Sequence, residues 1–223
     1  MNNKYQVVAL IGKAGAGKDS IQKATCELHP LMFHSIVSCT TRPAREHEVD
    51  GIDYHFISLN EFTRKVLNGD MLEATEFRDW FYGTTIDSLT KDKINIGVFN
   101  PAGVEALLED PRLNVIVFEV NAPDKQRLMR YLNREGVPDC AEMCRRYFTD
   151  EKDFADLDFD RYQIDNWDGA DLDLMSQFNS ANYILEEMWG ALGVDTAFET
   201  IVRWESSMYT KSIPTEENEV KSN

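Results

Sequence analysis

The chain has 223 residues, 43% of them hydrophobic, with 23 Lys and Arg against 39 Asp and Glu and a formal net charge of −16. The length fits one domain with insertions or one domain with a small appendage. No apolar run approaches the roughly 18 residues of a membrane span, and the first residues lack the apolar core of a signal peptide. A strongly negative field also repels nucleic-acid phosphates. We therefore expect a soluble cytoplasmic protein, monomeric or homodimeric, that binds neither nucleic acid nor a membrane.

A glycine-rich loop follows the first predicted strand, residues 5–11. The loop, GKAGAGK over 12–18, has the spacing of a phosphate-binding loop, because glycines allow the backbone to turn closely around an anion. A helix predicted over 19–28 adds its positive N-terminal end, and the Lys18 ammonium can reach the outer phosphates of a nucleoside triphosphate. The residues expected to bind these phosphates are Gly12, Ala14, Gly15, Ala16, Gly17, Lys18, Asp19 and Ser20.

Asp19 departs from the usual form of such a loop, in which a Ser or Thr after the lysine offers its hydroxyl to Mg²⁺. One explanation is that a carboxylate in the first turn of a helix is favoured by the helix dipole. The other is that Asp19 contacts the metal directly or through water, since Mg²⁺ prefers oxygen ligands. The residues alone leave both explanations open.

Two arginines stand three residues apart after a short strand predicted over 34–37. Arg42 and Arg45 are separated by a proline and preceded by hydroxyl side chains. Paired guanidinium forks suit a phosphate monoester dianion, although a solvated basic loop would also carry two arginines. A turn at 50–51 then leads into a half-exposed strand over 54–58.

Two stretches in this part of the chain resemble the guanylate kinases. They are SCTTRPAREHEVDGIDYHFIS, residues 38–58, and EATEFRDWFYGT, residues 73–84. With the phosphate loop, the resemblance covers residues 5–166 in order. It implies a P-loop kinase that moves the γ-phosphoryl group of ATP, with Mg²⁺, to GMP or dGMP.

The resemblance also implies roles for the residues that match the acceptor site of the family. Those expected to hold the phosphate of the monophosphate are Arg42, Arg45, Tyr54 and Tyr82. Those expected to contact guanine are Ser38, Glu73 and Thr84. A carboxylate at Glu73 suits guanine, which presents two adjacent N–H donors that adenine lacks, and each such hydrogen bond is worth roughly 1.5–3 kcal/mol.

The next predicted strand, 93–100, departs from the family. Aspartates of the family fall on Val98, which cannot ligate a metal, and on Asn100, which we still expect at the acceptor site but with fewer acceptor lone pairs. Either Mg²⁺ is held mainly by the nucleotide phosphates, or another residue compensates. Asp19 is the candidate for such a residue, because it lies on the loop that faces the same phosphates.

A strand over 114–120 and a helix over 124–134 lead into the region that forms the lid in the family. Arg130 and Arg134 match its first pair of arginines, and one of Arg145 or Arg146 matches a later arginine that reaches the transferring phosphoryl group. With Lys18 these are the expected catalytic residues. Their task is to neutralise charge in the transition state, where positioning and electrostatics supply most of the catalysis.

A last core strand is predicted over 162–166, helices over 174–192 and 196–209, and a mobile tail over 211–223. The alternation of apolar strands and helices predicts an α/β fold, with a parallel sheet, helices on both faces and ligands at the carboxyl ends of the strands. We expect a kinase core (1–35, 98–129, 151–193), a monophosphate-binding insertion (36–97), a helical lid (130–150) and a C-terminal extension (194–223).

Two alternatives accompany the guanylate kinase interpretation. The changes at Val98 and Asn100 leave room for a deoxynucleoside monophosphate kinase of broader specificity. Scaffold proteins also contain guanylate-kinase-like modules that bind proteins without catalysis, but these typically lack the loop lysine that is present here as Lys18.

Overall fold

A computed structural model of the chain describes residues 4–45, 48–77, 79–134, 138–166, 179–184, 186–187 and 190. The chain divides into two compact units, Met1–Asn182 and Tyr183–Asn223, and nearly all described residues lie in the first. Within the described ranges, no helix is long and apolar enough to cross a membrane. The predicted helix over 196–209, the tail over 211–223 and most of the helix over 174–192 lie outside the described residues, whereas residues 179–184 are helical.

The described strands and helices follow one another along the chain as β1 (Tyr5–Ile11), α1 (Lys18–Leu28), β2 (Phe33–Ser35), β3 (Cys39–Thr40), β4 (His55–Phe56), α2 (Leu59–Leu67), β5 (Met71–Phe77), β6 (Trp80–Thr85), β7 (Ile94–Val98), α3 (Pro101–Glu109), β8 (Leu113–Asn121), α4 (Asp124–Arg134), α5 (Cys140–Asp153) and β9 (Tyr162–Asp165).

The core is a five-stranded parallel sheet in the order β2-β7-β1-β8-β9. Its central strand β1 is a nearly continuous apolar run, as expected for a parallel strand covered on both faces. Val8 and Leu10 are as completely buried as Val7, Ala9 and Ile11 on the opposite face. Helix α1 packs on β1, β2 and β7, and α3 packs on β8, which confirms the predicted α/β architecture.

A second, four-stranded sheet is inserted between β2 and β7 in the order β4-β3-β6-β5. Its strands β5 and β6 form an antiparallel pair, and β3 pairs antiparallel with β6 and parallel with β4. This sheet lies within the segment 36–97 that is expected to bind the monophosphate. Strand β7 belongs to the core sheet, so the separate sheet accounts for only part of that segment.

The register of the core strands brings several loops to one edge. Leu10 of β1 pairs with Val98 of β7, and Ile11 pairs with Glu119 of β8. The glycine loop, the start of α3 and the start of α4 therefore follow strands that end at nearly the same level, which is where parallel α/β sheets bind ligands.

Candidate active site

The glycine loop runs from the end of β1 to the start of α1 in a conformation that requires glycine. Gly12 has φ +148° and Gly17 has φ +101°, a region that other residues rarely adopt. Close neighbours add a second constraint. A Cβ on Gly12 would lie 2.4 Å from the carbonyl oxygen of Val120, and one on Gly17 would lie 2.2 Å from Nδ2 of Asn166. Neither position can hold a larger residue without displacing the loop or its neighbours.

Lys18 folds back over the loop that precedes it. Its Nζ donates to the carbonyl oxygen of Gly12 at 2.6 Å and to that of Lys13 at 3.3 Å. Burial lowers the pKa of the Lys18 ammonium, and the nearby carboxylates of Asp19 and Asp150 oppose this effect. The cation thus lies in a desolvated position beside the loop, where its attraction for an incoming anion is poorly screened.

Two residues that are distant from the loop in the sequence hydrogen-bond to its backbone. Asn166, fully buried after β9, donates from Nδ2 to the carbonyl oxygen of Ala16 at 2.8 Å. Arg130 of α4 donates to the carbonyl oxygens of Gly15 and Ala16 at 3.0 and 3.2 Å, and to that of Asn166 at 2.9 Å. Arg130, expected to close over the triphosphate, therefore lies on the backbone of the loop itself.

The arginines of α5 differ in how they are held. Arg145 donates from Nε and Nη2 to the two carboxylate oxygens of Glu142, at 2.8 and 3.0 Å. Arg146 donates to Glu142 only through Nε, at 2.7 Å. Its two Nη atoms make no hydrogen bond within the described part of the chain. Arg146 also lines a small cavity beside Ala14 of the loop. The side chain of Arg134 lies outside the described residues.

Glu142 is the acidic partner of both arginines. Its side chain is 6% exposed, and the hydrogen bond from Arg145, reinforced by Arg146, lowers the pKa of the Glu142 carboxyl to about 2. The side chain of Asp139 caps the start of α5 by accepting the Glu142 backbone N–H at 3.0 Å. Glu142 thus holds both arginines through their Nε atoms. Its carboxyl stays ionised at neutral pH.

A buried ion pair contacts the loop at Ala14. Arg127 of α4 donates to the Ala14 carbonyl oxygen at 2.9 Å, and Asp150 of α5 accepts the Ala14 backbone N–H at 2.7 Å. Arg127 and Asp150 are bonded to each other at 3.0 Å. Two more ion pairs lie beside it. Arg127 pairs with Asp124 at 2.7 Å, and Glu151 pairs with Lys13 of the loop.

Arg42 is the centre of a second cluster, on the inserted sheet. Its guanidinium forms a two-pronged ion pair with Glu48, both contacts at 2.8 Å, which raises the pKa of Arg42. It also lies 5.5 Å from the ring centroid of Tyr54, and the Tyr54 and Tyr82 rings meet edge-on at 6.0 Å. Arg42 Nε is buried without a hydrogen-bond partner among the described residues. The side chain of Arg45 is exposed. Its backbone N–H donates to Glu48 Oε2 at 2.8 Å, and its carbonyl oxygen accepts the Glu48 N–H at 3.0 Å.

The three residues expected to contact guanine lie together on the same sheet. Strand pairing places Glu73 of β5 opposite Thr84 of β6, and Ser38 hydrogen-bonds to Thr84 between their hydroxyl oxygens at 3.0 Å. Burial raises the pKa of the Glu73 carboxyl, and hydrogen bonds from Thr84 oppose the rise. A Cβ on Gly103 would lie 3.6 Å from Glu73 Oε2, so the carboxylate borders the first turn of α3.

Asn100 has a structural task beside this group. It is the N-cap of α3, and its Oδ1 accepts the Gly103 N–H at 2.7 Å. Its Nδ2 donates to Thr75 Oγ1 of β5 at 3.3 Å, which joins the core sheet to the inserted one. An asparagine caps a helix as well as an aspartate does, so the change from the family residue preserves this function.

Asp19 affects residues of both clusters through its charge. It is exposed in the first turn of α1, and its charge raises the pKa of the Tyr54 hydroxyl, an effect second only to burial. The same charge acts on Lys18. The negative charge of Asp19 therefore acts on both the loop lysine and the tyrosine of the Arg42 cluster. Among the described residues, no three acidic, His or Cys side chains are grouped to hold a metal ion.

Several residues that shape the site were not predicted from the sequence. Glu142 could have been found, because it lies three and four residues before Arg145 and Arg146 on one helix, the spacing of helical ion pairs. Arg127 and Asp150 had no such signal, since 23 residues separate them and 136 separate Asp150 from Ala14, the loop residue that both contact.

Comparison with known proteins agrees with this geometry. Residues 4–173 match the family model described as guanylate kinase. The chain is 36% identical over 160 residues to a guanylate kinase of Salinibacter ruber, an alignment covering 70% of this chain and 81% of that protein. It is 32% identical over 153 residues to a guanylate kinase of Latilactobacillus sakei, covering 66% and 73%.

A solved structure also shares the fold. The crystal structure of guanylate kinase from Anaplasma phagocytophilum superposes with a TM-score of 0.60 at 22% identity, over 83% of this chain and 86% of that one.

Proposed function

Because the chain belongs to the guanylate kinase family, we propose that it transfers the γ-phosphoryl group of ATP to GMP, giving ADP and GDP. The observation that supports this proposal is that Glu73 borders the first turn of α3, which follows β7, and that β7 ends level with the strand before the phosphate loop. The expected base pocket and the phosphate loop would then meet at one edge of the core sheet, as direct transfer between two bound nucleotides requires.

The loop would bind the donor. Its backbone N–H groups and the N-terminal end of α1 suit the phosphates of ATP, and Lys18 supplies a cation from a desolvated position. Arg130 would act through the loop backbone that it holds. Arg146 lines the small cavity beside Ala14, and its two Nη atoms make no hydrogen bond to any described residue. Both observations favour Arg146 over Arg145 as the arginine that would reach the transferring group. We keep Arg134 as a proposed donor-site residue.

The inserted sheet would bind the acceptor. Arg42, Tyr54 and Tyr82 would hold the phosphate of GMP, and an oxygen of that phosphate would satisfy the buried Arg42 Nε. Arg45, exposed beside them, would join as the second basic fork. Glu48 now holds the Arg42 fork, so phosphate binding would exchange one anion for another.

Base recognition would rest on Glu73, with Ser38 and Thr84 beside it. The Glu73 carboxylate offers two acceptors for the N1–H and amino group of guanine, while adenine would leave a buried carboxylate unpaired. Glu73 is half-buried, so water would compete less for these hydrogen bonds than at an exposed carboxylate. Asn100 borders the pocket as the cap of α3. The same contacts accept GMP or dGMP, since none involves the sugar.

Mg²⁺ fits the donor end of this site. Asp19 is an exposed oxygen donor next to the lysine that would meet the phosphates, which suits a cation held mainly by the nucleotide and by water. When bound, the ion would neutralise charge on the phosphates of ATP. Substitution Asp19→Ala should raise the Mg²⁺ concentration needed for half-maximal rate. An unchanged requirement would leave only the helix-dipole role for Asp19.

The alternatives are less well supported. An inactive protein-binding module has no need of an intact phosphate loop or of a lysine bonded to that loop, and both are present. A broader acceptor range conflicts with the half-buried carboxylate of Glu73, which would lose its partners with any base that lacks two adjacent N–H donors. The net charge of −16 supports the absence of a nucleic-acid partner. An enzyme that uses ATP and GMP works where these nucleotides occur, so the proposal includes a cytoplasmic location, with the chain as a monomer or homodimer.

The test of the proposal is phosphoryl transfer by Lys18→Ala beside the unaltered chain. ADP release with ATP, Mg²⁺ and GMP should be abolished in the variant, because the cation that neutralises the phosphates is gone. A thermal melt close to that of the unaltered chain would show that the variant is folded. Full turnover by Lys18→Ala would remove Lys18 from the mechanism.

A further inference from the structure

Ala14 is held on both sides of its backbone by one buried ion pair. Its N–H is donated to Asp150 Oδ2 at 2.7 Å, and its carbonyl oxygen accepts from Arg127 Nε at 2.9 Å. Arg127 Nη2 and Asp150 Oδ2 close the ring at 3.0 Å. The side chains are 4% and 17% exposed, so this is an interior contact of the loop.

The group bound by the loop at this point is an anion of the protein itself. Burial raises the pKa of the Asp150 carboxyl, and the Ala14 N–H followed by Arg127 opposes that rise. The loop amide is thus one of the groups that stabilise a carboxylate taken out of water. Lys18, whose own pKa responds to Asp150, completes the cationic surroundings.

A backbone N–H has one hydrogen, and phosphate-binding loops use these hydrogens to hold phosphate oxygens. While Asp150 accepts from Ala14, that donor is not available to ATP. We propose that Asp150 is an internal competitor of the donor phosphates: ATP displaces its carboxylate from Ala14, and the strength of the contact sets the affinity of the loop for ATP. This inference rests on the proposed function only in that the loop receives the phosphates of ATP.

Displacement of Asp150 from Ala14 leaves the other contacts of Arg127 in place. Arg127 keeps its contacts with the Ala14 carbonyl oxygen and with Asp124 Oδ1, at 2.9 and 2.7 Å. The released carboxylate lies on α5, one helical turn after Arg146. ATP binding therefore acts on the helix that carries the arginine proposed for phosphoryl transfer.

Glu151 is a matched control for Asp150. It is the next residue of α5 and also contacts the loop, but through the side chain of Lys13 and not through a backbone N–H. Glu151→Gln and Asp150→Asn remove the same charge from nearly the same place. Only Asp150→Asn weakens the hydrogen bond that the Ala14 N–H donates to residue 150. The difference in Kd for ATP between the two variants therefore reports on this hydrogen bond and not on net charge.

The experiment is calorimetric titration of the full chain with ATP and Mg²⁺, without acceptor, and with tripolyphosphate as a probe that lacks base and sugar. We expect Asp150→Ala and Asp150→Asn to bind ATP about tenfold more tightly than the unaltered chain, which is the fold-change expected when a charged hydrogen bond no longer competes. Glu151→Gln should change the Kd by no more than about twofold, the value expected for a screened surface pair. Tripolyphosphate should show the same order of affinities.

Equal Kd values for the Asp150 and Glu151 variants would overturn the proposal, since the effect would then be one of charge alone. Weaker binding by both Asp150 variants would also overturn it, because Asp150 would then assist the donor. If Asp150→Ala melts much earlier than the unaltered chain, the isosteric Asp150→Asn decides. Failure of the unaltered chain to bind ATP would instead contradict the proposed function.

Discussion

Substitution of Glu142 should show which of the two arginines of α5, Arg145 or Arg146, contributes to kcat. Glu142 accepts three hydrogen bonds from Arg145 and Arg146, and these lower the pKa of its carboxyl from 4.5 to about 2. A depression of that size corresponds to about 3 kcal/mol at about 1.36 kcal/mol per pH unit. Because the two arginines are 37% and 33% exposed, solvent screening reduces the net value to about 1–2 kcal/mol.

In Glu142→Ala the Arg146 guanidinium loses the contact that fixes its orientation. If Arg146 acts on the transferring group, kcat should fall about tenfold, the equivalent of about 1.4 kcal/mol in the transition state. The KM for GMP should stay within about twofold, since Glu142 lies on the donor side. Steady-state kinetics at saturating ATP, with Arg145→Ala as the comparison, measure both values.

A double-mutant cycle decides whether the effect passes through Arg146. In the Arg146→Ala background, Glu142→Ala should cause little further loss of kcat, because the group that it positions is absent. A full tenfold loss in that background would refute the positioning role and leave Glu142 as a structural residue of α5.

Three further predictions concern specificity and stability. Glu73→Gln should lower kcat/KM for GMP about 10- to 100-fold, because one of the two acceptors for guanine becomes a donor, and an unchanged value in the coupled assay would remove Glu73 from base recognition. Asn100→Ala should lower the free energy of unfolding by about 1 kcal/mol through loss of the α3 cap, as measured by urea denaturation, whereas Asn100→Asp should retain it. The depressed pKa of Glu142 stabilises the fold fully above about pH 4.5, and this contribution is lost as the pH falls toward 2. Glu142→Gln should therefore lose less stability than the unaltered chain between pH 5 and pH 3, and parallel losses would contradict that assignment.

The core of the fold could be read from hydrophobic pattern because its elements are locally determined. The apolar run of β1 and the helical period of α1 and α4 gave bounds within a residue of Tyr5–Ile11, Lys18–Leu28 and Asp124–Arg134. Helix α2 was not predicted, although Ser58 followed by Glu61 is the usual N-terminal signal, and Ser58 Oγ accepts the Glu61 N–H at 3.2 Å. The pairing of β5 with β6 depends on contacts across the inserted sheet and leaves a weaker local pattern.

The site also combines residues that local sequence patterns predict with residues that only tertiary packing brings together. Short motifs carry the phosphate loop and the Arg42 segment, and the resemblance to the family links Glu73 with Ser38 and Thr84, which the structure brings together. The contact of Asp150 with Ala14 depends on how α5 packs against the loop. Pattern within a segment holds no information on such packing, so this contact becomes visible only in three dimensions.

The most direct test of the account is ADP release in a coupled assay with ATP and Mg²⁺, with GMP, dGMP, AMP, dAMP, CMP, dCMP, UMP and dTMP offered separately. We expect turnover with GMP and dGMP alone, because Glu73, beside Ser38 and Thr84, would accept hydrogen bonds from both N–H donors of guanine. Turnover across several bases, or none with ATP still bound, would contradict it.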